Sequence, residues 1–450
     1  MTATDTTPRT SPIPTAPGAL PLLGHALPLL RDPLAFLRSL PAHGDLVTIR
    51  LGTRPAVVVC DPGVVHEVLV NDHTYDKGGP FYDRVREFVG NGLASCPHDQ
   101  HRRQRRLLQP AFHSTRLTGY AHHMTEQITA VTDTWHDGQV IDVYAEMTTI
   151  TARTLIATLF GAAMDTADMD QATADVTVLL QRTFRRMLQP ELLNRLPTPA
   201  NHSYRGALRR LRQTIGALIT DQRARSDADA TLIPMILTNR DTAGDVLSHD
   251  EVIDQVVTFF IAGVETTASI LAWALHFLAA QSDIQGELYS EVSSTLNGSA
   301  AALEHLPNLP LTRAIITETL RLYPPVWLIT RNTTRDSTLA GFLIPADTTL
   351  IYSPYLIHHR PDLFAEPEQF NPRQWTDETA GHPARHTYIP FGAGARKCVG
   401  DQFGINVATL ALAIIADRWH LQHPHRTSVR PLPRTTLRPV GLRVRTTKRS

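Results

Sequence analysis

Phe391-Gly392-Ala393-Gly394-Ala395-Arg396-Lys397-Cys398-Val399-Gly400 is the stretch on which the reading of this chain turns. It sets one cysteine in a glycine-rich loop beside two basic residues. Residues 403–416 follow with no charge until Asp417, which predicts a helix beginning just after Cys398. Amide donors and the positive end of a helix at such a start stabilise an anionic sulfur. Gly392, Gly394 and Gly400 let the backbone come close to something large and flat. A thiolate presented in this way serves as a nucleophile, or as the axial ligand of a haem.

Composition narrows the classes. The 450 residues carry 43 basic and 43 acidic side chains, so no global field points to nucleic acid or to an anionic membrane. Apolar residues make up 42%, enough for a large core. Cys60, Cys96 and Cys398 do not suggest a disulfide framework, and a reducing cytoplasm is the simplest compartment. Residues 1–17 are rich in Thr and Pro without a long apolar run; they are expected to form a disordered tail, neither signal peptide nor membrane anchor. Residues 18–450 are expected to form a single domain, with no reductase in the short stretch after Cys398.

Working outward, residues 33–40 and 62–70 read as helices opened by Asp-Pro, and 46–51 and 55–60 as strands. From 77 to 97 the pattern weakens into glycines, charges and aromatic residues, including Phe81 and Phe88, consistent with a surface loop. A basic helix follows, with His101 and Arg105 one turn apart on one face. Ser248 and Glu251 form a capping box for a long helix reaching about residue 280. Its apolar runs rival a membrane span, but Glu265, Thr266, Thr267 and Ser269 fall at the centre, and one mid-span carboxylate costs roughly 2.5–3.5 kcal/mol. Threonine bonding back to the carbonyl four residues earlier opens the helix ladder, and Gly263 leaves space beside it. The expected result is a groove lined by a carboxylate and a hydroxyl. Glu318 and Arg321, three apart amid Ile315, Ile316, Leu320 and Leu322, read as a buried ion pair. Residues 342–344 and 348–352 read as a hairpin, and the His122-His123 and His358-His359 pairs as surface residues.

Together these features resemble the cytochrome P450 family. Phe391, Gly394, Arg396, Cys398 and Gly400 match its haem-ligand loop, Phe-x-x-Gly-x-Arg-x-Cys-x-Gly. Ala262-Gly263-Val264-Glu265-Thr266 matches its Ala/Gly-Gly-x-Asp/Glu-Thr groove, and Glu318-x-x-Arg321 its Glu-x-x-Arg pair. His101 and Arg105 match its Trp/His-x-x-x-Arg pair. The family completes the Glu-Arg pair with an arginine downstream; here Gln374 holds that position and Arg373 stands one place early, so either residue is open as the third member.

The resemblance implies a mainly α fold with a smaller β region, haem b held by Cys398, and insertion of one oxygen atom from O2 into a hydrophobic small molecule. It implies that Thr266 and Glu265 supply protons, and that His101, Arg105, Arg331, Phe391, Arg396 and Gly400 contact the haem. It places Phe81, Phe88, Phe259, Phe260, Ala262, Gly263, Val326, Trp327 and Ile329 around the substrate, with Phe184, Met187 and Leu188 in a lid. Electrons from NAD(P)H would arrive through a separate ferredoxin and ferredoxin reductase, docking near Arg102, Arg106 and Lys397. Residues 18–37, 326–331 and 351–357 are similar to terpene-oxidising actinobacterial members, which implies a cyclic sesquiterpene-type substrate in secondary metabolism such as antibiotic biosynthesis. Fatty-acid or macrolide hydroxylation within the family is the alternative, and a haem-binding sensor without turnover is the alternative from another class.

Overall fold

The computed structural model describes residues 12–161, 164, 166–188, 191–224, 231–376, 384, 386–424 and 428–449. Residues 1–11 of the expected tail, and the side chains of Phe88, Phe184, Met187 and Leu188, lie outside the described residues. The remainder of that tail is ordered against a strand: Ala16 N donates to Thr48 O at 2.9 Å and Thr48 N to Pro14 O at 2.7 Å. Parallel pairing satisfies backbone groups that an isolated tail would leave to water.

Helices dominate. The longest, His249–Ala280, opens with the expected capping box: Glu251 N donates to Ser248 Oγ at 3.2 Å, and Ser248 N to Glu251 Oε2 at 2.8 Å. It is about 48 Å long at 1.5 Å per residue. Its length and composition would let it cross a membrane, but 78% of its most apolar window is buried within the protein. Val143–Phe160 packs along it, with Thr151 donating to Val264 O at 3.2 Å. Gly263 allows the contact, because a Cβ there would lie 3.2 Å from Leu155 Cδ2. Trp273 locks the other end: its ring stacks on Tyr323 at 3.8 Å, and its indole N–H donates to Leu437 O at 3.0 Å.

A five-stranded sheet forms the smaller lobe, in the order Leu46–Leu51, Arg54–Val59, Thr349–Tyr352, Ile329–Thr333, Tyr75–Asp76. The pair 46–51 and 55–60 forms as expected, shifted by one residue in the second strand. The expected hairpin does not form. Thr349–Tyr352 lies parallel to Arg54–Val59 and antiparallel to Ile329–Thr333, whereas Phe342–Ile344 pairs with Ser337–Leu339. A central place in the sheet buries Leu350, Ile351 and Tyr352, and that outweighs the local turn signal. The expected loop from 77 contains a helix, Gly79–Val89, ended by Gly90 at φ 71°. That helix holds Tyr82 in the interior.

Candidate active site

The cysteine loop is folded on itself: Cys398 N donates to Phe391 O at 3.0 Å. Gly394 sits at φ 67°, and a Cβ there would be 2.3 Å from Leu69 O, so no side chain fits. The helix Asp401–Arg418 begins three residues after Cys398, with Gly400 at its cap position. Protein surrounds Cys398 almost completely, and this burial pushes its thiol pKa up despite the Gly400 amide and the nearby Arg105 and Lys77. Its surface is nevertheless accessible. Helix-end stabilisation alone therefore does not make it a thiolate; a bound metal ion would.

Basic residues converge beside this loop. Arg396 ion-pairs with Asp76 at 2.7 Å and approaches Asp72 at 3.4 Å, while its Nη1 donates to Cys96 O at 2.8 Å. Arg105 donates to Lys397 O, the carbonyl just before the cysteine. Arg331 is buried, bonded to Tyr82, with its Nε lacking any hydrogen-bond partner among the described residues. Lys77, absent from the sequence expectations, belongs to the same group. Burial, then Arg331 and Arg396, lower its ammonium to about 7. His101 is held down to about 3 by burial, then by Arg396, Lys77 and Arg105. It is therefore a neutral hydrogen-bonding group at working pH. Among the described residues, Asp72 and Asp76 face Arg396 and Asp401 faces Arg105, fewer carboxylates than the four basic side chains of the group.

The central helix supplies the opposite wall. Thr266 Oγ1 donates to Ala262 O at 2.6 Å, the back-bond expected from sequence. Ala262 is exposed and Thr266 half-buried in the middle of an otherwise buried helix. Two contacts join it to the cysteine side. Thr267 Oγ1 lies 3.7 Å from where a Gly404 Cβ would stand. Phe259 packs edge-on against Phe112 at 5.3 Å, and Phe112 lies 3.8 Å from the Cβ position of Gly400.

Glu265 points elsewhere. It is buried against the turn between strands Arg430–Pro433 and Leu437–Val440, bonded to Thr436, with Oε2 lacking a partner among the described residues. Burial pushes its carboxyl up to about 7, against the downward pull of Thr436, Arg438 and Arg434. Ser269 donates to Thr436 Oγ1 at 3.3 Å, and Arg438 lies 4.7 Å from the Tyr144 ring. The carboxyl therefore reaches towards the polar cluster of Thr436, Ser269 and Arg438.

The expected pocket residues divide. Phe81 and Val326 are exposed, and Ile329 is half-buried on its strand. Trp327 donates its indole N–H to Arg434 O at 2.8 Å and packs near Leu34 and Tyr355. Phe260 is not a lining residue: it is fully buried in the core, because the helical turn that exposes Ala262 directs position 260 into the bundle.

Glu318 and Arg321 are fully buried and bidentate, with Nη2–Oε1 at 2.8 Å and Nε–Oε2 at 2.9 Å. Gln374 Nε2 and Trp375 Nε1 donate to Glu318 Oε2 at 2.9 and 2.8 Å. Arg373 does not join; its adjacent position points it outward to Glu287 and Asp283. The remaining Arg321 donors reach the carbonyls of His358, Pro367 and Gln369. His358 and His359 are buried, not superficial. His358 Nε2 accepts from Ile389 N at 3.0 Å, which leaves Nδ1–H to donate to Arg321 O at 3.1 Å. His122, by contrast, is exposed as expected.

The family model described as Cytochrome P450 matches residues 14–446. The chain is similar to the pentalenene oxygenase of Streptomyces avermitilis, at 42% identity over 97% of both chains. It is similar to the cyclooctatin synthase of Streptomyces melanosporofaciens, at 42% identity over 95% of this chain and 94% of that one. The same organism's cyclooctat-9-en-7-ol 5-monooxygenase is 40% identical over 94% of this chain and 91% of its own. Among solved structures, the cytochrome P450DA heme domain superposes with a TM-score of 0.88 at 24% identity, covering 98% of each chain.

Proposed function

From the premise that the chain belongs to the cytochrome P450 family, we propose that it is a monooxygenase which hydroxylates or oxidises a cyclic terpene in secondary metabolism. What supports the active-site assignment is the accessibility of Cys398 in its folded loop and of Ala262 and Thr266 on the otherwise buried central helix. The donor set fits haem. Cys398 would ligate the iron, and Lys77, Arg105, Arg331 and Arg396, with neutral His101, would hold its two carboxylates, which answer the excess positive charge and the unpartnered Arg331 Nε. Phe391 and Gly400, which shape the cysteine loop, would help to hold it. When bound, haem with a thiolate ligand supplies the activation of O2.

The chain's own residues do the rest. Thr266 presents its hydroxyl to the cavity and passes protons there. Glu265, neutral below about pH 7, restores the proton from the outer side. The apolar walls exclude water and orient a hydrocarbon. Electrons come from NAD(P)H through a ferredoxin and its reductase in the cytoplasm. Arg102 and Arg106, exposed on the helix that carries Arg105, offer their docking charges. The terpene reading rests on the similarity to Streptomyces proteins named for terpene oxidation.

The test is an optical titration of the purified ferric protein with cyclic sesqui- and diterpenes, fatty acids and macrolactones. A shift towards high spin with a cyclic terpene supports the substrate class. A response to fatty acids or macrolactones alone overturns that class and leaves the oxygenase chemistry standing. A protein lacking a thiolate-type haem spectrum would refute both.

A further inference from the structure

We propose that Thr436 is a positioning residue for Glu265: its hydroxyl turns the carboxyl away from Thr266 and onto the hairpin of residues 430–440, the side from which the acid is reprotonated. The inference rests on the oxygenase reading and adds a member to the same site. Glu265, Ser269 and Trp273 stand at intervals of four on the central helix, so they share one face. All three engage the turn between strands Arg430–Pro433 and Leu437–Val440. Glu265 bonds to Thr436, Ser269 Oγ donates to Thr436 Oγ1 at 3.3 Å, and Trp273 Nε1–H donates to Leu437 O at 3.0 Å. Thr266 stands about 100° further round the helix and bonds back to Ala262 O.

The turn is held independently of Glu265. Leu437 N donates to Pro325 O at 2.9 Å, Arg434 N to Thr436 O at 3.1 Å, and Trp327 Nε1–H to Arg434 O at 2.8 Å. Thr436 is 3% exposed, and Leu437 is fully buried. The hydroxyl is therefore fixed where the carboxyl meets it, which is what a positioning group requires. Tyr144, on Val143–Phe160, bonds to both Ser269 and Thr436, and Arg438 lies over its ring. Each hydroxyl of this file can accept a proton on one side and donate one on the other. Tyr144 and Arg438 are half-buried, so solvent meets the outer end. A proton passes from the Thr436 hydroxyl to the carboxylate as one from water replaces it along the file; only O–H bonds form and break.

A purely structural carboxyl would be satisfied at both oxygens. Glu265 Oε2 and the adjacent Thr435 Oγ1 are instead buried without partners among the described residues. One oxygen of the acid thus stays free to take up or release a proton. The groups that face it are Arg434 and Arg438 on the hairpin and Tyr144 on the packed helix. Burial raises its pKa to about 7, while the Thr436 hydroxyl, then Arg438 and Arg434, pull it down. Thr436 thereby keeps the acid near the pH at which it both gives and receives a proton.

The test uses the full-length holoprotein. Infrared difference spectra between pH 5 and pH 9 follow the protonated carboxyl stretch, and Glu265→Gln identifies the band. In Thr436→Val the midpoint should rise by about one unit, because the hydroxyl no longer opposes burial. Thr436→Ser keeps the hydroxyl and should titrate as wild type does. With redox partners and a substrate that forms product, Thr436→Val should release a severalfold larger share of reducing equivalents as peroxide, and Thr436→Ser a wild-type share. Haem absorption and the substrate-induced optical shift should survive in both, which separates lost proton supply from lost folding; should the valine variant not fold, Thr436→Ala carries the same test. An unmoved midpoint, a wild-type peroxide share in the valine variant, or a serine variant that behaves like the valine one would overturn the proposal. The infrared arm needs no turnover. A Glu265→Gln variant that couples as wild type does would instead overturn the proton role on which the proposal rests, whatever the infrared midpoint.

Discussion

His358 Nε2 accepts the Ile389 amide two residues before the cysteine loop, while its Nδ1–H faces the carbonyl of Arg321. One neutral imidazole thereby ties the buried ion pair to the loop that carries Cys398. Burial, then His359 and Arg321, hold its pKa down to about 3. Its folded pKa is depressed, so the neutral ring favours the native state above about pH 6.5, and that contribution falls as pH drops from there towards 3. His358→Ala is expected to cost about 1–3 kcal/mol by leaving the Ile389 amide unsatisfied. It should also flatten the acid limb of stability between pH 6.5 and 3, checked by denaturant melts of both proteins across that range.

Glu318→Ala would leave the Arg321 guanidinium buried without its carboxylate, a loss of about 3–5 kcal/mol. Arg373→Ala should leave the melting midpoint unchanged, because Arg373 engages only surface carboxylates. Gln374→Ala should fall between them. Thermal denaturation of the three variants ranks them, and an Arg373 variant as damaged as the Glu318 variant would refute the assignment of Gln374.

Glu265 has its folded pKa raised from 4.5 to about 7 by burial. The native state therefore holds a proton that the unfolded chain releases, and stability falls as pH rises from about 4.5 to 7, by up to about 3 kcal/mol. Glu265→Gln removes that slope. Melting midpoints at pH 5 and pH 8 should differ more in wild type than in the variant, over and above other titrating groups. With the redox partners present, the variant should also divert reducing equivalents from product to peroxide.

Thr266→Ala keeps the helix but removes the hydroxyl that donates to Ala262 O, to which the proton transfer is assigned by proposal. Product formation should drop on the order of 10²-fold, a size typical of a lost proton-transfer group. Substrate-induced optical shifts should survive, since the hydroxyl is not assigned to binding the hydrocarbon.

Burial first, and then Arg331 and Arg396, lower the Lys77 ammonium to about 7. A dianionic group in the cavity would raise its pKa again. Lys77→Met should therefore speed the transfer of haem to apomyoglobin, with the difference from wild type persisting at pH 8.

Much of this was legible in local sequence. Cys398 with its glycines, the Ser248–Glu251 cap, the Thr266 back-bond and the Glu318–Arg321 spacing are short-range signals, each written within ten residues. What escaped were pairings made across the chain. Nothing around Lys77 announces that Arg331 and Arg396 will gather beside it. His358 reads as polar surface until Arg321 and Ile389 arrive to satisfy both ring nitrogens. Thr349–Tyr352 chose a parallel partner nearly 300 positions earlier over the strand next to it. Phe260 was misplaced for a different reason: helical phase near a back-bonded threonine decides which of two neighbouring phenylalanines faces inward, and composition does not encode that phase.

The Arg396 hydrogen bond to Cys96 O closes a loop of 300 residues. Contacts of such range are entropically late. The helical bundle can assemble from neighbours, but the cation cluster beside Cys398 exists only after both extremes of the chain have met. Cofactor capture is therefore a closing event in biogenesis, and a nascent chain passes through most of its synthesis with that basic cluster unassembled.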